Sequence, residues 1–120
     1  MKTSPLQTEE ELLLVKACAV LPVLLDSLEQ DLRSMQAAGV NSLYIERLKD
    51  LQKSIITRLT QLKKNSRARS IIIMETRRKE HSLQIIYQCR GYQHQMELQW
   101  DFVKADMERR LAGALHLNLE

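Results

Sequence analysis

The chain is poor in turn-forming and aromatic residues: three glycines, two prolines, three tyrosines, one tryptophan and one phenylalanine in 120 residues. So little glycine and proline leaves no material for long flexible linkers, and the length suits one hydrophobic core, so residues 1–120 are expected to form a single domain. Two cysteines, Cys18 and Cys89, are too few for a disulfide scaffold. Each lies in an apolar periodic run, where cysteine usually serves as a small buried hydrophobe. Long apolar runs are also missing, since Lys16 and Pro22 interrupt the stretch from Leu12 to Leu25. Glu9, Glu10 and Glu11 stand where a secretory leader needs its apolar segment. The expectation is a cytoplasmic protein with reduced thiols and no membrane span.

Motifs that carry chemistry are scarce as well. There is no Gly-rich phosphate loop, no GxSxG elbow and no DxDxDG calcium loop. His81, His94 and His116 do not show the i, i+4 spacing of a helical zinc pair and stand beside no CxxC, so neither metal nor cofactor is expected. Cys89 and His94 flank a predicted hairpin and form the one conceivable thiolate–imidazole pair. The sequence supplies no third group to orient them, and a structural role for each is the simpler reading.

What the chain does have is periodicity. Thr8 and Glu11 show the spacing of a capping box, which starts a first helix. Leu14, Leu21, Leu25, Leu28, Leu32 and Met35 recur at threes, fours and sevens to form its apolar stripe. Pro22 should kink this helix or divide it into 8–20 and 22–38; the stripe keeps phase across it, which favours a kink. Gly39 closes the helix, and Asn41 or Ser42 caps a second from Ser42 to Lys64 with Leu48, Leu51, Ile55, Leu59 and Leu62 in register. From there the period changes. The β-branched run Ile71 to Ile73 predicts a strand over 68–78. Strict alternation through Leu83, Ile85, Tyr87 and Cys89, and again through Tyr92, His94, Met96 and Leu98, predicts two more. Turns fall at Glu80 to Ser82 and at Arg90-Gly91. Asp101 can cap a last helix carrying Val103, Met107 and Leu111. The fold class is α+β: a long antiparallel helical hairpin (8–65), a three-stranded antiparallel β-meander (68–100) and a C-terminal helix (101–115) that covers the sheet.

Charge is unevenly placed. The net charge of +3 divides into −1 for residues 1–60 and +4 for residues 61–120. Lys53, Arg58, Lys63, Lys64, Arg67, Arg69, Arg77, Arg78 and Lys79 face a single acid, Glu75, across the predicted helix-to-strand junction. Three readings compete for this stretch. Arg77, Arg78 and Lys79 can guard a strand edge from pairing with other chains. With Lys63, Lys64, Arg67 and Arg69 they can form a phosphate-binding face for DNA or RNA, with the hairpin as a wing. The same face can dock an acidic protein.

Ala19-Val20-Leu21-Pro22, the acids Glu29 and Asp31 before Leu32, Tyr44, and Tyr87 with Arg90-Gly91-Tyr92 stand in an order that resembles small YhjD-like proteins of spore-forming bacilli. The resemblance spans residues 12–111. It implies a cytoplasmic family with a helical hairpin ahead of a β-hairpin, and it transfers no functional residue.

The function expected from all this is a non-enzymatic interaction or regulatory module acting by protein–protein contact. The alternative is a DNA- or RNA-binding regulator. The stripe from Leu14 to Met35 exceeds what one partner helix needs, so Leu21, Leu25 and Leu28 are expected at an isologous homodimer interface. No small-molecule substrate is evident.

Overall fold

Local signals near each end of α1 (Glu9–Ala37) act as the spacing predicts. In a computed structural model that describes residues 7–116, the Glu11 N–H donates to the Thr8 hydroxyl and the Thr8 N–H donates to the Glu11 carboxylate, both at 3.0 Å. At the other end the Val40 N–H reaches the Met35 carbonyl (3.0 Å) and the Gly39 N–H reaches that of Gln36 (3.2 Å). This wrap is a Schellman closure, and it needs the left-handed backbone that Gly39 adopts at φ +73°. Pro22 lies inside the helix without dividing it. Its missing N–H leaves the Cys18 carbonyl without the usual helical donor.

Asn41 caps α2 (Ser42–Ala68) by accepting from the Leu43 N–H at 2.9 Å. The helix runs past the expected Lys64 to Ala68, because nothing between Asn65 and Ala68 forces a stop. Ser66 turns its hydroxyl back onto the Leu62 carbonyl at 2.8 Å and fits the helix seam. The Cys18 thiol is then the donor in its 3.5 Å contact with Ser66, whose own proton is already committed. The break comes at Ser70, in the left-handed region at φ +58°. The first strand therefore starts at Ile71 and not at residue 68.

The three strands β1 (Ile71–Arg78), β2 (Ser82–Cys89) and β3 (Tyr92–Gln99) form an antiparallel meander in the order β1-β2-β3. β2 and β3 stay in register along their whole length, whereas β1 carries a bulge between Ile73 and Glu75. The bulge turns Glu75 and Arg77 onto the open face, opposite Ile86 and Gln84, and Thr76 and Arg78 onto the covered face, opposite Ile85 and Leu83. α3 (Trp100–Ala114) follows β3 with no loop. Its N-cap is Gln99, which makes no side-chain cap bond, so Asp101 lies in the first turn and is not the predicted cap. Trp100 instead ties the junction to the β1–β2 turn, its indole N–H donating to the Lys79 carbonyl at 2.7 Å.

Two apolar clusters share α1. Val15, Ala19 and Val20 pack with Leu83, Ile85, Tyr87 and Cys89 of the sheet. Leu21, Leu24 and Leu28 pack with Leu51, Ile55, Leu59 and Leu62 of α2. α3 joins the clusters, with Val103 in the first and Leu111 and Leu115 against the second. The apparent surplus of apolar residues on α1 is thus taken up within the chain. Leu21 and Leu28, expected at a dimer interface, are only 3% and 4% exposed, and Leu25 is half-buried against the same cluster. Leu21 and Leu28 therefore offer no free surface to a second copy. The molecule is long, 62 × 30 × 29 Å, because a 29-residue helix extends about 43 Å at about 1.5 Å per residue and the sheet covers only its N-terminal half.

Arg90 and Gly91 make the β2–β3 turn, both with positive φ (52° and 85°). That is the two-residue geometry whose twist suits a hairpin. A Cβ on Gly91 would meet nothing within 4 Å, so Gly91→Ala isolates the backbone penalty. Chemical denaturation should show a loss of about 1 kcal/mol, with Gly91→Asn losing less because asparagine tolerates the left-handed region.

Candidate interaction surfaces

Helical spacing places Lys49, Lys53, Ile56, Thr60, Lys63 and Arg67 on one line along the outside of α2, and all are exposed. The line follows from the inward stripe. Leu51, Ile55, Leu59 and Leu62 fix the buried face against α1, and the residues at intervening threes and fours must then face water. Lys64 lies beside it. Between Asp50 and Glu75 the chain has no acid, so nothing on the C-terminal part of α2 offsets these charges. Lys53, Lys63, Lys64 and Arg67 form no ion pair among the described residues. From Lys49 to Arg67 the row is about 27 Å long at about 1.5 Å per residue. Near its centre Ile56 is 49% exposed, an apolar contact with Lys53 one turn before it and Lys63 two turns beyond.

The remaining cations of the basic stretch are elsewhere. Arg69, at the C-terminal end of α2, pairs with Glu10 at 2.8 Å. Arg77, Arg78 and Lys79 lie at the far end of β1, about 26 Å away at about 3.3 Å per strand residue. There each has an acid of its own. Arg77 forks onto Glu75 at 2.9 and 3.1 Å, Lys79 reaches Glu97 at 2.9 Å, and Arg78 leans from the covered face of the edge strand to Asp26 of α1. Neighbouring sequence positions are therefore split into two regions. Lys63, Lys64 and Arg67 come together; Arg69, Arg77, Arg78 and Lys79 do not join them. Lys49 escaped the sequence reading, although its four-residue step to Lys53 continues the outward row. An open groove of about 640 Å³ lies between α1 and α2 on another flank of α2, with Leu13, Leu14 and Leu62 on its walls and Arg58 facing it.

A second feature gathers where α1 begins. Glu11 is 3% exposed and receives Arg90 Nη1 at 2.6 Å, besides its capping bond from Thr8. The Arg90 N–H also donates to the Ser70 carbonyl at 2.9 Å, tying the β2–β3 turn to the α2–β1 link. These donors hold the Glu11 carboxyl down to about 2, the Arg90 guanidinium contributing most and the Thr8 N–H next, against the opposing effect of burial. Next to it, the Tyr87 hydroxyl donates to Gln7 Oε1 at 2.6 Å, and the Gln7 amide lies 3.0 Å from His94 Nδ1. The His94 ring stacks on Tyr87 with centroids 5.4 Å apart. Cys89 pairs across the strands with Tyr92, not His94, and burial pushes its thiol upward. At neutral pH it is a protonated packing group. Among the described residues, no three His, Cys, Asp or Glu side chains gather as metal ligands, and no helix is long and apolar enough to cross a membrane.

Compared with known families, residues 6–119 match the family model described as YhjD protein. No curated protein and no solved structure matches the chain.

The Glu11 carboxylate gives the corner a definite pH signature. Its folded pKa lies below the unfolded value, so its stabilisation is complete above about 4.5 and is lost as pH falls toward about 2. Glu11→Gln keeps the shape and removes the charge. At pH 7 it should cost about 1–2 kcal/mol, below the range for fully buried pairs because the Arg90 side chain is 37% exposed. Urea midpoints compared at pH 7 and pH 3 should fall less for the variant than for the parent.

Proposed function

The chain belongs to the YhjD protein family, and we propose that it is a non-enzymatic interaction module, with the outward face of α2 docking an acidic protein partner. The supporting observation is the row Lys49, Lys53, Lys63 and Arg67, with Lys64 beside it, exposed on a rigid helix. Cations elsewhere in the molecule are largely neutralised at home: Arg69, Arg77, Arg78, Lys79 and Arg90 each hold an acid of the same chain. Along the α2 row, Lys53, Lys63, Lys64 and Arg67 stand without an ion pair among the described residues. Such a surface steers an acidic partner into contact and fixes its register. Ile56 gives that contact a dry centre, where neighbouring lysine stems can lie along apolar surface. The proposed setting is the cytoplasm, where the free thiols of Cys18 and Cys89 stay reduced.

A second reading, a DNA or RNA backbone on the same face, draws support from the length of the row, which would pass several phosphates. Against it stands the hairpin tip. A winged contact needs Arg77, Arg78 and Lys79 available for phosphates, and their acids would have to be displaced.

A poly-glutamate peptide and a mixed-sequence DNA duplex distinguish the readings when titrated in parallel at low and physiological salt. The peptide should bind with strong salt dependence. Replacing Lys53, Lys63, Lys64 and Arg67 with glutamine should weaken it roughly 30-fold, at about 0.5 kcal/mol per exposed charge. Duplex binding tighter than peptide binding and lost in the same variant would transfer the face to nucleic acid. Binding of both probes unchanged by the substitutions would remove α2 as the docking surface.

A further inference from the structure

The two edges of the sheet are built differently. On β1 the bulge at Met74 interrupts the strand, and Arg77 and Arg78 precede Lys79 at its end. Bulges and clustered charge are the usual protection of an edge against pairing with another chain. β3 has neither. All eight of its residues, Tyr92 to Gln99, keep unbroken register with β2; it contains no proline or glycine and one charged residue, Glu97. Among the described residues it packs chiefly on β2 and on α3, which continues from its own end, with Gln7 touching His94.

The covered side of the sheet is also incomplete along β3. Inward residues of the central strand, Leu83, Ile85, Tyr87 and Cys89, are all buried. Of their partners on β3, Leu98 is buried but Tyr92, His94 and Met96 are only half-buried. The core therefore thins toward this edge, where a fourth strand would close it. Cys89 and Tyr92 flank a two-residue turn, so the backbone groups of residues 92, 94, 96 and 98 bond to β2. Those of Gln93, Gln95, Glu97 and Gln99 then point outward along an edge that no other described strand pairs with.

We propose that β3 pairs antiparallel with β3 of a second copy, joining two three-stranded sheets into one of six strands. Self-complementarity singles out a second copy as the occupant. A two-fold axis normal to the sheet pairs residues whose numbers sum to an even value, which keeps inward residues beside inward ones. Centred on Gln95, it sets Gln93 opposite Glu97, His94 opposite Met96 and Tyr92 opposite Leu98. Centred on Met96, it sets Gln95 opposite Glu97 and Gln93 opposite Gln99. In both registers the carboxylate of Glu97 meets a glutamine amide, which can donate to it, and the two glutamates avoid each other. Both registers also use the outward backbone groups as donors and acceptors. The contact is independent of the α2 face, so either can fail without the other.

Mass in solution and hydrogen exchange on the intact protein test this together. Light scattering should give twice 14.0 kDa, with the β3 amides of Gln93, Gln95 and Glu97 protected. Placing like charges across the axis with Gln93→Glu and Gln95→Glu, which set a second carboxylate opposite Glu97 in either register, should raise the dimer dissociation constant at least tenfold while the circular dichroism spectrum stays that of the parent. Gln95→Pro, which removes one outward donor and leaves the β2 ladder intact, should do the same. A monomeric parent would overturn the proposal, whether or not the β3 amides were protected. So would a dimer whose dissociation constant is unmoved by folded glutamate and proline variants.

Discussion

Arg90 is the residue on which the parts of this molecule converge. Its guanidinium grips Glu11 at the start of α1, its N–H holds the Ser70 carbonyl where α2 hands over to β1, and its own backbone makes the β2–β3 turn. A non-glycine residue at φ 52° is strained by about 1–3 kcal/mol, and it persists only where the surroundings determine it from several sides. Glu11 is equally committed, serving as both cap partner and ion-pair partner. The clasp sets where the sheet begins along α1. A second pair, Arg78 with Asp26, holds the other end. The spacing is consistent: Glu11 to Asp26 is about 22 Å of helix at about 1.5 Å per residue, and β1 spans about 23 Å at about 3.3 Å per residue.

Between those two pins lies the division of the core. α1 turns small residues, Val15, Ala19 and Val20, toward the sheet, and leucines toward α2. Small side chains let a sheet approach a helix closely while leucines fill the wider gap between helices, so one helix serves two partners. The sheet needs this support, since three strands with one open face are barely stable alone. α3 fixes the arrangement from the side by touching both clusters.

The order and type of elements were legible because their signals are local: Thr8 with Glu11, Gly39 after Ala38, and strict alternation from Leu83 to Leu98 all act within a few residues. What escaped depends on distance. Glu11 and Arg90 are 79 positions apart, and neither shows a motif that points to the other. Leu21, Leu25 and Leu28 looked surplus because Val15, Ala19 and Val20 did not announce a second buried face on the same helix. The cations from Lys53 to Lys79 read as one patch because a sequence does not display the strand that carries Arg77, Arg78 and Lys79 to the opposite end of the sheet. Once there, Glu75, Asp26 and Glu97 neutralise them, and the unopposed charge is left on α2. Lys49 was findable from helical spacing alone, had the outward face been read as closely as the inward one. Asp101 was displaced as a cap because α3 begins directly at Trp100, one residue ahead of it.

A rigid α2 depends on the clasp, because α2 is held by α1 along one side and by the Ser70 link to Arg90 at its end. The most direct measurement is a double-mutant cycle on the clasp. The parent, Glu11→Gln, Arg90→Gln and the double variant would be unfolded in urea at neutral pH. The account predicts that the two single losses exceed the double loss by about 1–2 kcal/mol, the coupling expected of a half-buried charge-assisted pair. Strictly additive losses would mean that Glu11 and Arg90 stabilise the fold independently, and the corner would not be what joins sheet to helices.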